Sequence, residues 1–150
     1  MTKKVNNGPK YMHGSDNKDI VDGLNSILAD TFTLYFKTHT FHWNVVGEHF
    51  RSLHLLFDEQ YNELWQSTDM IAERVRQLEG AVPINLKSLI KLASLQETGQ
   101  TPDAMAMVAE LANDNAEIVT RILPVLEKAD AAGDKGTADM LTRRIQAHEN

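Results

Sequence analysis

The chain has 150 residues, 42 % of them hydrophobic, with a formal net charge of −6 and no cysteine. That length suits one domain with its own core, and the missing thiols exclude disulfides and thiolate chemistry. The acidic balance argues against nonspecific nucleic-acid binding by the body of the protein, and no apolar run is long enough to cross a bilayer.

Residues 1–17 carry Lys3, Lys4 and Lys10 against Asp16 alone, together with Asn6, Asn7, Gly8, Pro9 and Gly14. Without an apolar period, they read as a flexible, weakly basic tail ahead of a bundle domain over 18–150. The segment also lacks the apolar core of a signal peptide, which with the absence of cysteine points to the cytoplasm.

From Ile20, apolar positions recur at three- and four-residue steps through Val21, Leu24, Ile27, Leu28, Leu34 and Tyr35. This predicts a long amphipathic helix ending near Gly47. A second helix is expected from about Arg51, carrying Leu53, Leu56, Phe57, Leu64, Ile71, Val75 and Leu78, with Gly80 and Pro83 stopping it. Residues 81–100 form a connection in which "INLKSLIKLASL" suggests a short helix. In "TPDA", Thr101 is expected as N-cap, Pro102 at the first helical position and Asp103 in the first turn. A third long helix follows to about Ala132, bent at Pro124, and a fourth runs from "GDKG" to the last residue. No segment alternates with period two. The pattern predicts an all-α four-helix bundle with a short extra helix between helices 2 and 3.

"FHWNVVGEHFRSLHLLFDEQY", residues 41–61, concentrates histidine and acid. On the second helix His54, Asp58, Asp69 and Glu73 share one stripe, within an arc of about 100°. The pairs 54/58 and 69/73 are centred roughly 22 Å apart at 1.5 Å rise per residue, so they cannot ligate one ion within a chain. His42, at the end of the first helix, folds back toward His54 and Asp58. An antiparallel two-fold copy of the second helix, crossing near 63–64, would set Asp69 and Glu73 of one chain opposite His54 and Asp58 of the other. The same spacing also suits ordinary solvated charges and a surface His–Asp contact. His39 reads as a neighbour of this group rather than a ligand. His49 falls in the turn and His148 at the C-terminal end. Trp43 and Trp65 suit core or interface positions.

"KTHTFHWNVVGEHFRSLHLLFDEQY" followed by "DMIAERVRQLEG" resembles the Dps family of mini-ferritins, over residues ~20 to 148. The resemblance implies a ferritin-like bundle assembling as a hollow dodecamer. It implies intersubunit ferroxidase centres built from His42, His54 and Asp58 of one subunit and Asp69 and Glu73 of its mate. Trp43 matches the family's tryptophan beside the iron site. Such proteins oxidise Fe²⁺, with peroxide preferred over oxygen, deposit ferric mineral in the shell, protect DNA and need no organic cofactor. Asp114 and Asp139 match acidic positions lining the family's three-fold pores. Asp134 is a further pore candidate that also suits a helix cap. The chain ends at "RRIQAHEN", short of where typical members finish their last helix. The alternative function is a nucleoid protein that compacts DNA through Lys3, Lys4 and Lys10, with iron oxidation secondary. Three lysines suit weak, salt-sensitive DNA binding.

Overall fold

A computed structural model describes residues 14–150, with side chains described from residue 17. Lys3, Lys4 and Lys10 lie outside the described residues. The elements are α1 (Gly14–Asn44), α2 (Phe50–Gln77), α3 (Leu86–Ile90), α4 (Ala104–Ala131) and α5 (Lys135–Glu149). Four long helices and one short one in the second connection match the expected architecture. Among the described residues there is no strand, and no helix is long and apolar enough to cross a membrane.

α1 starts earlier than composition suggested and takes in residues 14–17 of the expected tail. Asn17 is tied down: its Nδ2 donates to the Leu78 carbonyl at 2.5 Å. α1 and α2 form an antiparallel hairpin joined by a short turn, in which Gly47 takes a φ of 110°. The apolar stripes converge on one core. α1 supplies Ile20, Leu24, Ile27 and Leu34, α2 supplies Phe57, Leu64, Ile71 and Val75, α4 supplies Met107, Ile118 and Ile122, and α5 supplies Leu141. Each of these large side chains leaves water almost completely, an area-proportional gain of about 1.5–3 kcal/mol apiece before entropy is counted.

α2 ends ahead of Gly80 and Pro83, as expected, and the left-handed residue that closes it is Glu79 (φ 63°). The Gly80 amide reaches back to the Val75 carbonyl at 2.9 Å and the Glu79 amide to Arg76 at 3.0 Å, a Schellman closure. Gly80 is needed next door for another reason: a Cβ there would stand 2.5 Å from Val21, so only glycine lets the chain pass α1.

The start of α4 also differs. Asp103, not Thr101, is the N-cap, and its carboxylate accepts from the Ala106 amide at 2.9 Å. Pro102 therefore precedes the cap. α4 runs unbroken through Pro124, which leaves the Thr120 carbonyl without its intrahelical donor. It closes on Gly133 (φ 73°), with the Asp134 amide bonded to the Ala129 carbonyl at 2.8 Å. Asp134 then caps α5 through the Thr137 amide at 3.0 Å, so one residue ends one helix and begins the next.

The long crossover between α2 and α4 is pinned by Asp30 of α1, which is fully buried. Its carboxylate accepts from the amides of Ser94 (2.6 Å) and Leu95 (3.1 Å) and pairs with Arg121 at 3.2 Å. A buried charge is tolerated only when partnered in this way.

Candidate metal centre

His42 occupies the last turn of α1, where the terminal carbonyls lack intrahelical donors. His54 lies in the second turn of α2, directly across the short connection. The His54 Nδ1 donates to the His42 carbonyl at 2.8 Å, and the His42 Nδ1 donates to the His54 carbonyl at 2.8 Å. A carbonyl oxygen only accepts, so both protons are fixed on Nδ1 and both Nε2 lone pairs are left free. That is the arrangement in which imidazoles ligate metals, with the second nitrogen held by an outer acceptor. The two rings stack at 3.7 Å and 18°, and Phe50 stacks on His54 at 5.0 Å.

Asp58 follows His54 by one turn on the same face. Its Oδ1 accepts from the Tyr61 hydroxyl at 2.7 Å, leaving Oδ2 free. Tyr61 is a residue the sequence reading gave no role, although its spacing of three from Asp58 on a helix puts the two in reach. His39 stands beside the group as expected of a neighbour. It stacks on Tyr61 (3.7 Å, 11°), meets Trp43 at 4.2 Å and bonds the Tyr35 hydroxyl through Nδ1 at 3.2 Å. Burial first, and then the neighbouring His42, push its pKa below the ordinary value against the pull of Asp58.

Asp69 and Glu73 are exposed further along α2. One chain does not bring them to the histidines: among the described residues no three His, Asp or Glu side chains come together closely enough to hold an ion. Around the stripe stand exposed large apolar side chains, namely Trp43 (60 %), Phe50, Trp65 (53 %) and Met70.

The three acidic positions considered for a pore have different surroundings. Asp139 is exposed and pairs with Arg143 one turn on, at 2.5 Å. Asp114 is buried and paired with Lys37 at 2.6 Å, and Lys37 also holds Glu110 at 2.8 Å. Burial holds Asp114 above the ordinary carboxylate range in spite of Lys37, as expected where one ammonium serves two acids. Asp134 has no exposed surface and binds Arg74 at 2.5 Å besides capping α5, so the cap accounts for it without a pore.

His148, expected merely at the chain's end, is buried in a network that joins its i,i+4 neighbour Arg144 to residues far along the chain. Its Nε2 accepts from Arg144 at 3.3 Å, its Nδ1 donates to Asn115 at 2.8 Å, and Arg144 pairs with Glu63 of α2. His49 is exposed in the turn beside Glu48 at 3.6 Å.

Comparison with known proteins bears on this geometry. Residues 21–150 match the family described as a ferritin-like domain. The chain is 40 % identical to a low temperature-induced protein of Nostoc sp., over 87 % of this chain and 74 % of that one. It is 38 % identical to a DNA protection during starvation protein of Brevibacillus brevis, over 79 % of each. Among solved structures, a Dps protein from Bacillus brevis superposes with a TM-score of 0.88 at 35 % identity, covering 92 % of this chain and 93 % of that one. A Dps protein from Vibrio cholerae, described as a member of the ferritin-like diiron-carboxylate superfamily, superposes at 0.89 with 25 % identity, covering 95 % and 91 %. The bundle, its short third helix and these matches together establish that the chain belongs to the ferritin-like family and, within it, to the Dps proteins.

Proposed function

We propose that this protein oxidises Fe²⁺ and stores the ferric product, and so protects DNA from iron-driven oxidative damage. Chains pair about a two-fold axis. Each pair builds two identical sites, with His42, His54 and Asp58 of one chain and Asp69 and Glu73 of the partner subunit. Twelve chains enclose a hollow shell in the cytoplasm. No organic cofactor takes part.

The observation that carries this reading is the mutual fixing of His42 and His54 through Nδ1, which leaves both Nε2 atoms available as ligands, with Asp58 one turn along α2 from His54. The ligand types suit iron as substrate: imidazoles hold the ferrous ion and carboxylates favour the ferric product. A half-site in each chain, with Asp69 and Glu73 roughly 22 Å along the same helix, supports completion by a second copy. The exposed Trp43, Phe50, Trp65 and Met70 support burial of that face against another chain. Two ferrous ions at one site give two electrons, which with two protons reduce one peroxide to two waters. Hydrolysis of the ferric ions then yields oxyhydroxide. Asp139, exposed on α5, is the pore-lining candidate that remains free of a buried role.

The test is direct. Adding Fe²⁺ and then peroxide to the assembled protein should raise ferric absorbance faster than in buffer, on a particle whose native mass is that of twelve chains. An absorbance rise no faster than in buffer would overturn the reading.

A further inference from the structure

We propose that Tyr61 is a positioning residue for the iron site: its hydroxyl holds the Asp58 carboxylate in its ligating pose, and His39 of α1 fixes the Tyr61 ring. The proposal rests on the iron-oxidising reading above.

The three candidate ligands of the half-site are not held alike. His42 and His54 orient each other through backbone carbonyls. Asp58 has no such hold. Among the described residues its carboxylate has one hydrogen-bond partner, the Tyr61 hydroxyl, at 2.7 Å. A half-buried aspartate without that bond turns about two side-chain torsions, and binding the ion must then order it. A hydrogen bond from the protein orders a ligating carboxylate beforehand. The bond also occupies Oδ1, so Oδ2 is the oxygen presented to an ion. As a neutral donor, the phenol favours the ionised carboxylate without adding a positive charge that would repel Fe²⁺.

Tyr61 is itself anchored from the other helix. Its ring stacks on His39 at 3.7 Å and 11°, and meets the His42 ring edge-on at 5.2 Å. His39 is in turn tied to the Tyr35 hydroxyl through Nδ1 at 3.2 Å. A polar contact between residues three apart on a helix is by itself common and weak. That spacing accounts for the reach of the Tyr61 hydroxyl but not for the clamp on its ring. The clamp comes from α1, the helix that supplies His42. A chain of contacts thus runs from Tyr35 through His39 and Tyr61 to Asp58, and the packing of α1 on α2 orients all three ligands of the half-site. His39, a histidine outside the ligand set, acquires a role in it.

The assembled, iron-free protein is titrated with Co²⁺, a divalent ion that takes the same nitrogen and oxygen ligands and whose visible bands report its coordination. Tyr61→Phe keeps the ring and its stack and removes the hydroxyl alone. It should weaken Co²⁺ binding about 10-fold, the lower end of what loss of an outer partner costs, and alter the visible bands. His39→Leu should weaken binding less, and should add nothing to Tyr61→Phe, because it acts through the same hydroxyl. In an Asp58→Ala background Tyr61→Phe should have no further effect, for the same reason. A tyrosine that only supports the fold would weaken binding in both backgrounds. Native protein that binds no Co²⁺, or binds it as tightly after His54→Ala plus Asp58→Ala, sinks the iron reading and this proposal with it. Binding that Asp58→Ala weakens and Tyr61→Phe leaves unchanged, or that Tyr61→Phe weakens equally with and without Asp58, overturns the positioning role alone.

Discussion

His42 and His54 orient each other: each ring's Nδ1 is bonded to the other residue's backbone carbonyl at 2.8 Å, with the rings stacked at 3.7 Å. An alanine at either position keeps its backbone carbonyl, so the remaining ring keeps its hydrogen bond and loses only its stacking partner. Each substitution therefore deletes one candidate ligand nitrogen and spares the other. His54→Ala and His42→Ala should each weaken Fe²⁺ binding by at least the roughly 10–100-fold that loss of a mere outer partner costs. The double variant should bind more weakly still. An isothermal Fe²⁺ titration checks the series, and a double variant that binds Fe²⁺ as well as either single one would show that the rings do not both ligate.

The shared site predicts complementation. His54→Ala with Asp58→Ala spoils one half, and Asp69→Ala with Glu73→Ala spoils the other, so each pure assembly should oxidise iron slowly. After dissociation, mixing and reassembly, every mixed pair holds one doubly damaged site and one intact site. Random pairing makes about a quarter of all sites intact, because isologous pairs form without preference between the two variants. Mixed pairs verified by native mass but no faster than either pure variant would exclude a site built from two chains.

DNA binding should be weak and salt-dependent. Lys3, Lys4 and Lys10 offer few phosphate contacts on an acidic particle, and each contact weakens steeply as salt rises. A gel shift should show retention at low salt, loss of it at physiological salt, and no retention once residues 1–14 are removed. Salt-resistant binding by the shortened chain would make the body of the protein, not the tail, the DNA-binding part.

His148 should make stability fall in mild acid. Burial first, and then the Arg144 charge, push its pKa down to about 3 from 6.5. Between those values the unfolded chain binds a proton that the folded chain refuses. The contribution is therefore complete above about pH 6.5 and is lost as pH falls toward 3, at roughly 1.4 kcal/mol per unit for one group. Urea midpoints at fixed chain concentration should drop between pH 7.5 and 5, and His148→Gln should flatten that slope. An unchanged slope in the variant would assign the acid sensitivity to another group.

Asp114 and Asp139 should separate by phenotype. Asp114→Asn disturbs the Lys37 cluster inside the bundle and should lower the melting temperature, because a buried ammonium then depends on Glu110 alone. Asp139→Asn removes only an exposed i,i+4 pair worth a few tenths of a kcal/mol, so the melting temperature should hold. If Asp139 lines a pore, the same variant slows iron uptake. Stopped-flow uptake and thermal melting on both variants decide, and unchanged uptake in Asp139→Asn removes that residue from the entry route.

The sequence by itself determined the four long helices, the short α3 and the common stripe of His54, Asp58, Asp69 and Glu73. These follow from a 3.6-residue period and a fixed rise, both local properties of one helix. It also showed that Asp69 and Glu73 cannot reach His54 and Asp58 within one chain, since a rigid helix cannot bring its own distant turns together. What it could not determine is anything set by contacts between elements. The left-handed position at the end of α2 falls on Glu79, while Gly80 is needed for the close passage of Val21. Asp103 displaced Thr101 as the cap of α4, a choice among adjacent good cappers that depends on where the crossover delivers the chain. Asp114 was drawn into the bundle by Lys37, 77 positions away in the chain. Which nitrogen of His42 and His54 points outward was decided only when α1 and α2 folded together, because each ring is held by a carbonyl of the other helix.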